Sequence, residues 1–184
     1  RGGYLLTAAI DEYLTVMVAK RTIDTDIFLQ YSDIERVKNV DHINHRIIRE
    51  VLKYFKVDNS FQVSTFSTMP TFTGLGASST LIVALISAIR NMENIMISKI
   101  KLAEEAFYIE REVLRLSGGY QDQYIASLGG IQIIEVEKNL HVNCTHLNLD
   151  KEIINELEKK LILVYSQLDR KSDKIINSQI REFN

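Results

Sequence analysis

The chain has 184 residues, of which 46% are apolar and 25% charged, enough for one globular domain or for one domain and part of a second. Its 22 basic and 24 acidic residues give a formal charge of -2, which argues against a dedicated binder of nucleic acid or of anionic membranes. The single cysteine, Cys144, excludes an internal disulfide framework and fits a reducing, cytoplasmic compartment. No apolar run approaches the roughly 20 residues that span a bilayer.

The first half of the chain carries both strand and helix periodicities. Alternating apolar residues predict strands, and apolar residues three or four positions apart predict helices. The predicted strands are Tyr4–Ile10, Tyr13–Arg21 and Phe61–Met69; the predicted helices are Asp41–Phe55 and Ser78–Met92. The last helix is apolar almost all round, which is typical of a buried helix.

The second half continues the mixture without a regular strand–helix–strand rhythm, which favours an α+β fold. Ser98 is a plausible N-cap for a helix that runs to about Leu116. A short helix over Gln121–Leu128 is expected to stop at Gly129. The remaining predicted elements are the strands Ile131–Val136, Leu140–Leu149 and Leu161–Tyr165 and the helices Glu152–Lys160 and Ser172–Phe183.

The segment between the third predicted strand and the buried helix contains two of the eight glycines. From Pro70 to Thr80 it reads Pro-Thr-Phe-Thr-Gly-Leu-Gly-Ala-Ser-Ser-Thr, and its glycines let successive N–H groups point into one concavity at a helix N-terminus. It lacks the lysine of a Walker A loop and the third glycine of a dinucleotide fingerprint. The segment therefore predicts an anion site, with a glycine-rich turn capped by Ser78 or Ser79 as the alternative.

Glu110 is a charged residue on the apolar face of the helix predicted after Ser98. At 100° per residue it falls in the middle of the apolar stripe, where an unpaired carboxylate costs several kcal/mol. It is therefore expected to have a partner. A divalent metal is one candidate, a buried Arg or Lys is another, and a helix that tilts the side chain out to water is the third.

Asp122 follows the double glycine Gly118-Gly119 and falls in the first turn of the next predicted helix. A negative charge is favourable there because of the helix dipole, so Asp122 can simply stabilise the helix start. The functional alternative is a rigid carboxylate near the phosphate loop that accepts a proton from a hydroxyl nucleophile, an assistance typically worth about 10²–10⁴-fold in rate.

Taken in order along the chain, these segments resemble the GHMP kinases. Pro70–Thr80 is similar to that family's phosphate-binding motif, with Ala77 in place of the first serine of the usual pair. Within the family, the D-glycero-D-manno-heptose 7-phosphate kinases show the greatest resemblance. The segments that resemble them are Ile109–Leu114, Gln121–Gln123 and Gly129-Gly130.

The resemblance implies a two-domain GHMP kinase fold, with an N-terminal domain like domain 2 of ribosomal protein S5, and the cofactors ATP and Mg²⁺. Ser78 and Glu110 would hold the metal, and Asp122 would orient or deprotonate the acceptor hydroxyl. The residues that would wrap the ATP phosphates are Gly74, Leu75, Gly76, Ala77, Ser78 and Ser79. Residues 1–158 would form the N-terminal, ATP-binding domain without its first strand, and residues 159–184 would open the C-terminal domain. The chain is thus expected to be truncated at both ends.

The function implied is a cytoplasmic, ATP-dependent phosphotransferase with an alcohol acceptor. The preferred acceptor is the anomeric hydroxyl of D-glycero-D-manno-heptose 7-phosphate, on the way to nucleotide-activated heptose for polysaccharides. Two alternatives stay open: the same chemistry on another sugar such as L-fucose, and an inactive relative that only binds sugar or nucleotide. The expected partners are ATP and the sugar phosphate, with neither nucleic acid nor membrane, and a homodimer is left open.

Overall fold

The computed structural model describes residues 2–57, 59–68 and 73–164. Strands and helices alternate irregularly in this part of the chain, as an α+β fold requires. The strands are β1 Gly3–Ala8, β2 Leu14–Lys20, β3 Ile27–Gln30, β4 Ile34–Val37, β5 Phe61–Ser67, β6 Ile131–Val136 and β7 Val142–His146. The α-helices are α1 Arg46–Tyr54, α2 Ala77–Met92, α3 Lys99–Tyr108, α4 Gln121–Leu128 and α5 Lys151–Lys160.

The described strands form two sheets. One has the order β1-β6-β7 and is antiparallel throughout. The other has the order β2-β5-β3-β4, in which β3 runs parallel to β5 and the other two pairs are antiparallel. This mixture of sheets and helices confirms the predicted α+β class.

Helix α2 lies at the centre of the main core and packs against β2, α1, α3 and α4. Its side chains Ile82, Leu85, Ile86 and Ile89 are completely buried, each worth about 1.5–3 kcal/mol relative to exposure. The prediction of a buried helix is confirmed. Because α2 is anchored along its length, the position of its N-terminus relative to the rest of the domain is fixed.

The hairpin β3–β4 was not predicted, and the following helix begins later than expected. A 3₁₀ turn occupies Val40–His42, and α1 starts only after His45. The cause is Glu35 of β4, whose carboxylate is 6% exposed and accepts the backbone N–H groups of Asn44 (2.6 Å) and His45 (3.1 Å). These bonds hold the two residues outside the helix.

Other predicted boundaries hold to within a few residues. Ser98 is the N-cap of α3, accepting a hydrogen bond from the Lys101 N–H, and Gly129 ends α4 with φ 73°. Residues 161–164 form no strand, so that part of the prediction Leu161–Tyr165 is wrong. Pro70, Tyr165 and the predicted helix Ser172–Phe183 lie outside the described residues. None of the helices described is long and apolar enough to span a bilayer.

Candidate active site

The loop before α2 has a backbone suited to binding an anion. Gly74 and Gly76 are left-handed, with φ of 78° and 72°, a region that glycine enters without steric cost. Gly76 is the N-cap of α2, and no side chain caps the helix there. The alternative in which Ser78 or Ser79 is an ordinary cap is therefore wrong. Helical geometry leaves the first N–H groups of α2 without intrahelical acceptors, and the helix dipole adds positive potential at the same point.

Glu110 lies in a π-helical turn, Ile109–Val113, that continues α3. It is 4% exposed, so the helix does not tilt it out to water. Its Oε2 accepts hydrogen bonds from Ser79 Oγ at 2.8 Å and from Gln123 Nε2, while Arg111 approaches the same oxygen only to 3.7 Å. The partners are thus two neutral donors and one loosely placed cation. Single π-turns inside helices are frequently found at functional sites.

The two serines of the loop have different surroundings. Ser79 is 3% exposed and donates to Glu110, whereas Ser78 is exposed. The structure therefore joins Glu110 to Ser79 rather than to Ser78. A role for Ser78 as a metal ligand stays a prediction.

Asp122 lies against the phosphate loop. A β-carbon built on Gly76 would be 3.2 Å from Asp122 Cγ and 3.4 Å from its Oδ2, so the Asp122 carboxyl lies directly in front of Gly76 and leaves no room for a larger residue there. Burial raises the pKa of Asp122, the charge of Glu110 raises it further, and Arg111 opposes the shift. The negative charge of Glu110 is thus close enough to Asp122 to disfavour its ionisation.

Arg111 organises the turn that leads to Asp122, and the sequence pattern did not single it out. Its guanidinium donates to the carbonyls of Leu116 (2.9 Å) and Gly119 (3.0 Å). It also covers Gly118, where an added β-carbon would lie 2.3 Å from Nη2. The available signal was a pair of glycines a few residues after an arginine, which is too weak to name this contact without coordinates.

A cleft of about 930 Å³ opens beside the loop. Its wall includes Gly74–Ala77 with parts of α2 and α4, and also residues 7–14. Gln121, next to Asp122, donates to Thr7 Oγ1 at 3.2 Å and so ties α4 to the segment 7–14. That segment also carries Asp11, whose carboxylate accepts from the Tyr13 hydroxyl at 2.8 Å. The cleft places polar groups within reach of a ligand held at the loop.

The oxygen set around Glu110 fits a hard divalent cation. A carboxylate and hydroxyls are ligands that Mg²⁺ accepts, and Mg²⁺ usually takes few protein ligands in addition to phosphate oxygens and water. The described residues contain no group of three or more His, Cys, Asp or Glu that could hold a metal ion. Gln123 Oε1, beside Glu110, is buried and has no hydrogen-bond partner among the described residues.

Comparison with known proteins finds similarity to a family of kinases. Residues 42–130 match the family described as GHMP kinases N terminal domain. The chain is 33% identical to the D-glycero-alpha-D-manno-heptose 7-phosphate kinase of Campylobacter jejuni, in an alignment over 94% of this chain and 54% of that protein. The matches to this family and to this heptose phosphate kinase confirm the resemblance seen in the sequence.

Solved structures agree with this similarity. A structure titled as a D-glycero-D-manno-heptose 1-phosphate kinase from Bacteriodes thetaiotaomicron superposes with a TM-score of 0.77 at 27% identity, over 85% of this chain and 55% of that one. Lactococcus lactis galactokinase shares the fold, with a TM-score of 0.62 at 15% identity, over 89% of this chain and 53% of that one. The chain thus spans about half the length of these relatives.

Proposed function

We propose that the protein carrying this chain transfers the γ-phosphoryl group of ATP to the anomeric hydroxyl of a heptose 7-phosphate, with Mg²⁺ as cofactor. The observation that carries the proposal is the position of Asp122 directly in front of Gly76, because a candidate proton acceptor there would lie beside the candidate phosphate site. The similarity to heptose phosphate kinases supports the choice of acceptor over L-fucose or another sugar.

The reaction would proceed by positioning and charge compensation. The N–H groups of residues 74–79 would hold the phosphates at the start of α2. As the anomeric oxygen forms its bond to the γ-phosphorus, the bond from that phosphorus to the bridging oxygen of ADP breaks. The hydroxyl proton would pass to the Asp122 carboxylate, and the raised pKa of Asp122 makes it a better acceptor than an ordinary aspartate.

Glu110, with a serine hydroxyl of the loop, would hold Mg²⁺ against the phosphates. When bound, the ion would neutralise charge that builds up on the transferred phosphoryl group. The hydrogen bond from Ser79 would help to keep the Glu110 carboxylate in place. In this arrangement residues 1–158 act as the ATP-binding domain and residues 159–184 begin a second domain.

The direct test is a transfer assay on the complete protein that contains this chain. With ATP and Mg²⁺ we expect phosphorylation of D-glycero-D-manno-heptose 7-phosphate in preference to L-fucose and other sugars. Asp122→Asn should lower kcat by about 10²–10⁴-fold, because it removes the proton acceptor and keeps the side-chain shape. ATP binding without transfer to any sugar would favour the inactive relative, and an Asp122→Asn variant as active as the parent would defeat the mechanism.

A cytoplasmic location is part of this proposal, whereas the sequence leaves the homodimer open. Light scattering on the complete protein distinguishes a dimer from a monomer.

A further inference from the structure

Gln123 has no role in the proposed chemistry as stated so far, although it adjoins Asp122 in α4. It is 0% exposed, which is unusual for glutamine. Its Nε2 donates to Oε2 of Glu110, the oxygen that also accepts from Ser79. The hydrogen bond fixes the orientation of the amide, because only the nitrogen can donate to a carboxylate.

The other end of the same amide shows that Gln123 does not serve packing alone. Its Oε1 is buried without a hydrogen-bond partner among the described residues. A buried acceptor without a partner is destabilising, a penalty that an apolar side chain of similar length would avoid. The position therefore carries an amide at some cost in stability, and the group that the amide contacts is Glu110.

The neutral character of this donor matters for a carboxylate that is to bind a cation. A lysine or arginine in the same place would cancel the negative charge, and a carboxylate would repel it. Arg111, the one cation that an ion pair joins to Glu110 within the described residues, stays 3.7 Å away. Ser79 and Gln123 thus fix the position of Glu110 and leave its charge available.

We propose that Gln123 is a positioning residue of the kinase site, which holds the Glu110 carboxylate in the orientation that binds the divalent cation. The inference rests on the proposed function, since it assigns the cation to Glu110. A positioning residue should affect metal affinity and kcat while leaving the KM for the sugar phosphate unchanged. Loss of such an outer contact typically weakens metal affinity by about 10–100-fold.

The test is Mn²⁺ binding to the complete protein in the presence of a non-hydrolysable ATP analogue, followed by electron paramagnetic resonance. Gln123→Met removes the donor and keeps the length of the side chain. We expect its Mn²⁺ affinity to fall about 10–100-fold and part of the lost kcat to return at high Mg²⁺. Its thermal stability should match or exceed that of the parent, because the orphan carbonyl is gone.

Two further variants make the result decisive. Gln123→Asn keeps an amide but is one methylene too short to reach Glu110, so it should weaken Mn²⁺ binding even if Gln123→Met does not fold. Gln62→Met is the matched control: Gln62 is a partly buried glutamine of β5 that contacts Arg21 and Ser64, and its replacement should leave Mn²⁺ affinity unchanged.

The outcomes separate this inference from the function on which it rests. An active parent together with folded Gln123 variants of parent-like Mn²⁺ affinity overturns the role of Gln123 and leaves the kinase assignment intact. A parent protein that transfers no phosphate overturns the proposed function, whatever the variants bind.

Discussion

Asp26, just before β3, and Glu110, in the π-helical turn, are buried to nearly the same extent, with 3% and 4% exposure. Their partners differ in charge. Asp26 pairs with Arg36 at 2.5 Å and with Lys38, and its neighbour Asp24 pairs with Arg21 and Arg36. Glu110 is held mainly by the neutral donors of Ser79 and Gln123.

The difference separates a structural carboxylate from one suited to binding. The charge of Asp26 is matched by two cations of the protein, so it has little left to offer a ligand. The charge of Glu110 is fixed in position but only loosely compensated, and burial makes its attraction for a cation stronger than it would be in water. Exposure alone does not distinguish the two residues, whereas the charge of their partners does.

Exchanging the two carboxylates for amides should give opposite results, and this is the largest effect expected from comparing the two regions. Glu110→Gln should lower kcat by about 100-fold or more, because the cation loses its charged ligand, with little loss of stability. Asp26→Asn should leave kcat near that of the parent and lower the free energy of unfolding. Transfer assays give kcat for both variants, and denaturant titrations give their free energies of unfolding. If the two variants lost the same stability and kept the same kcat, the two carboxylates would not differ in role.

The stability effect of Asp26→Asn should also depend on pH. Lys38 and then Arg36 hold the pKa of Asp26 below its usual value. A carboxyl with a lowered pKa stabilises the fold above its unfolded-state pKa, about 3.9, and loses that contribution as the pH falls through its folded pKa. The gap in stability between parent and variant should therefore be full at neutral pH and close in strong acid. A gap independent of pH would show that the ion pairs do not cause it.

A smaller effect on kcat is expected when either glycine of the loop is replaced by alanine. The two glycines have different neighbours. Alanine at Gly74 or Gly76 costs about 1–2 kcal/mol, because both have positive φ. A β-carbon at Gly74 would meet nothing within 4 Å, whereas at Gly76 it would press on Asp122. Gly76→Ala should therefore lower kcat about tenfold more than Gly74→Ala. Equal kcat values for the two variants would show that Asp122 takes no part in the reaction.

Local sequence patterns predicted the elements that carry the site. The apolar surface of α2, the N-cap Ser98 and the stop at Gly129 depend on near neighbours, and all three are confirmed. A simple 100° wheel places Glu110 on the apolar face, and of the alternatives left open there the structure excludes a tilt out to water, even though the helix becomes a π-turn. Periodicity is informative where the chain interacts with itself over one or two turns.

Contacts between distant residues could not be predicted in the same way. Ser79 and Gln123 lie 31 and 13 positions from Glu110, and the pairing depends on how α2, α3 and α4 pack. The start of α1 was placed too early for the same reason, since Glu35 of the unpredicted hairpin binds the N–H groups before it. Such contacts are set by tertiary structure, which a single sequence does not display.

The most direct test of the central claim, that the loop, Glu110 and Asp122 form one site, is a crystal structure of the complete protein with Mg²⁺, a non-hydrolysable ATP analogue and D-glycero-D-manno-heptose 7-phosphate. The account predicts phosphates on the N–H groups at the start of α2, the metal about 2.0–2.1 Å from a Glu110 oxygen, and the anomeric hydroxyl about 2.6–3.2 Å from Asp122. A triphosphate bound elsewhere, or an acceptor hydroxyl out of reach of Asp122, would contradict it.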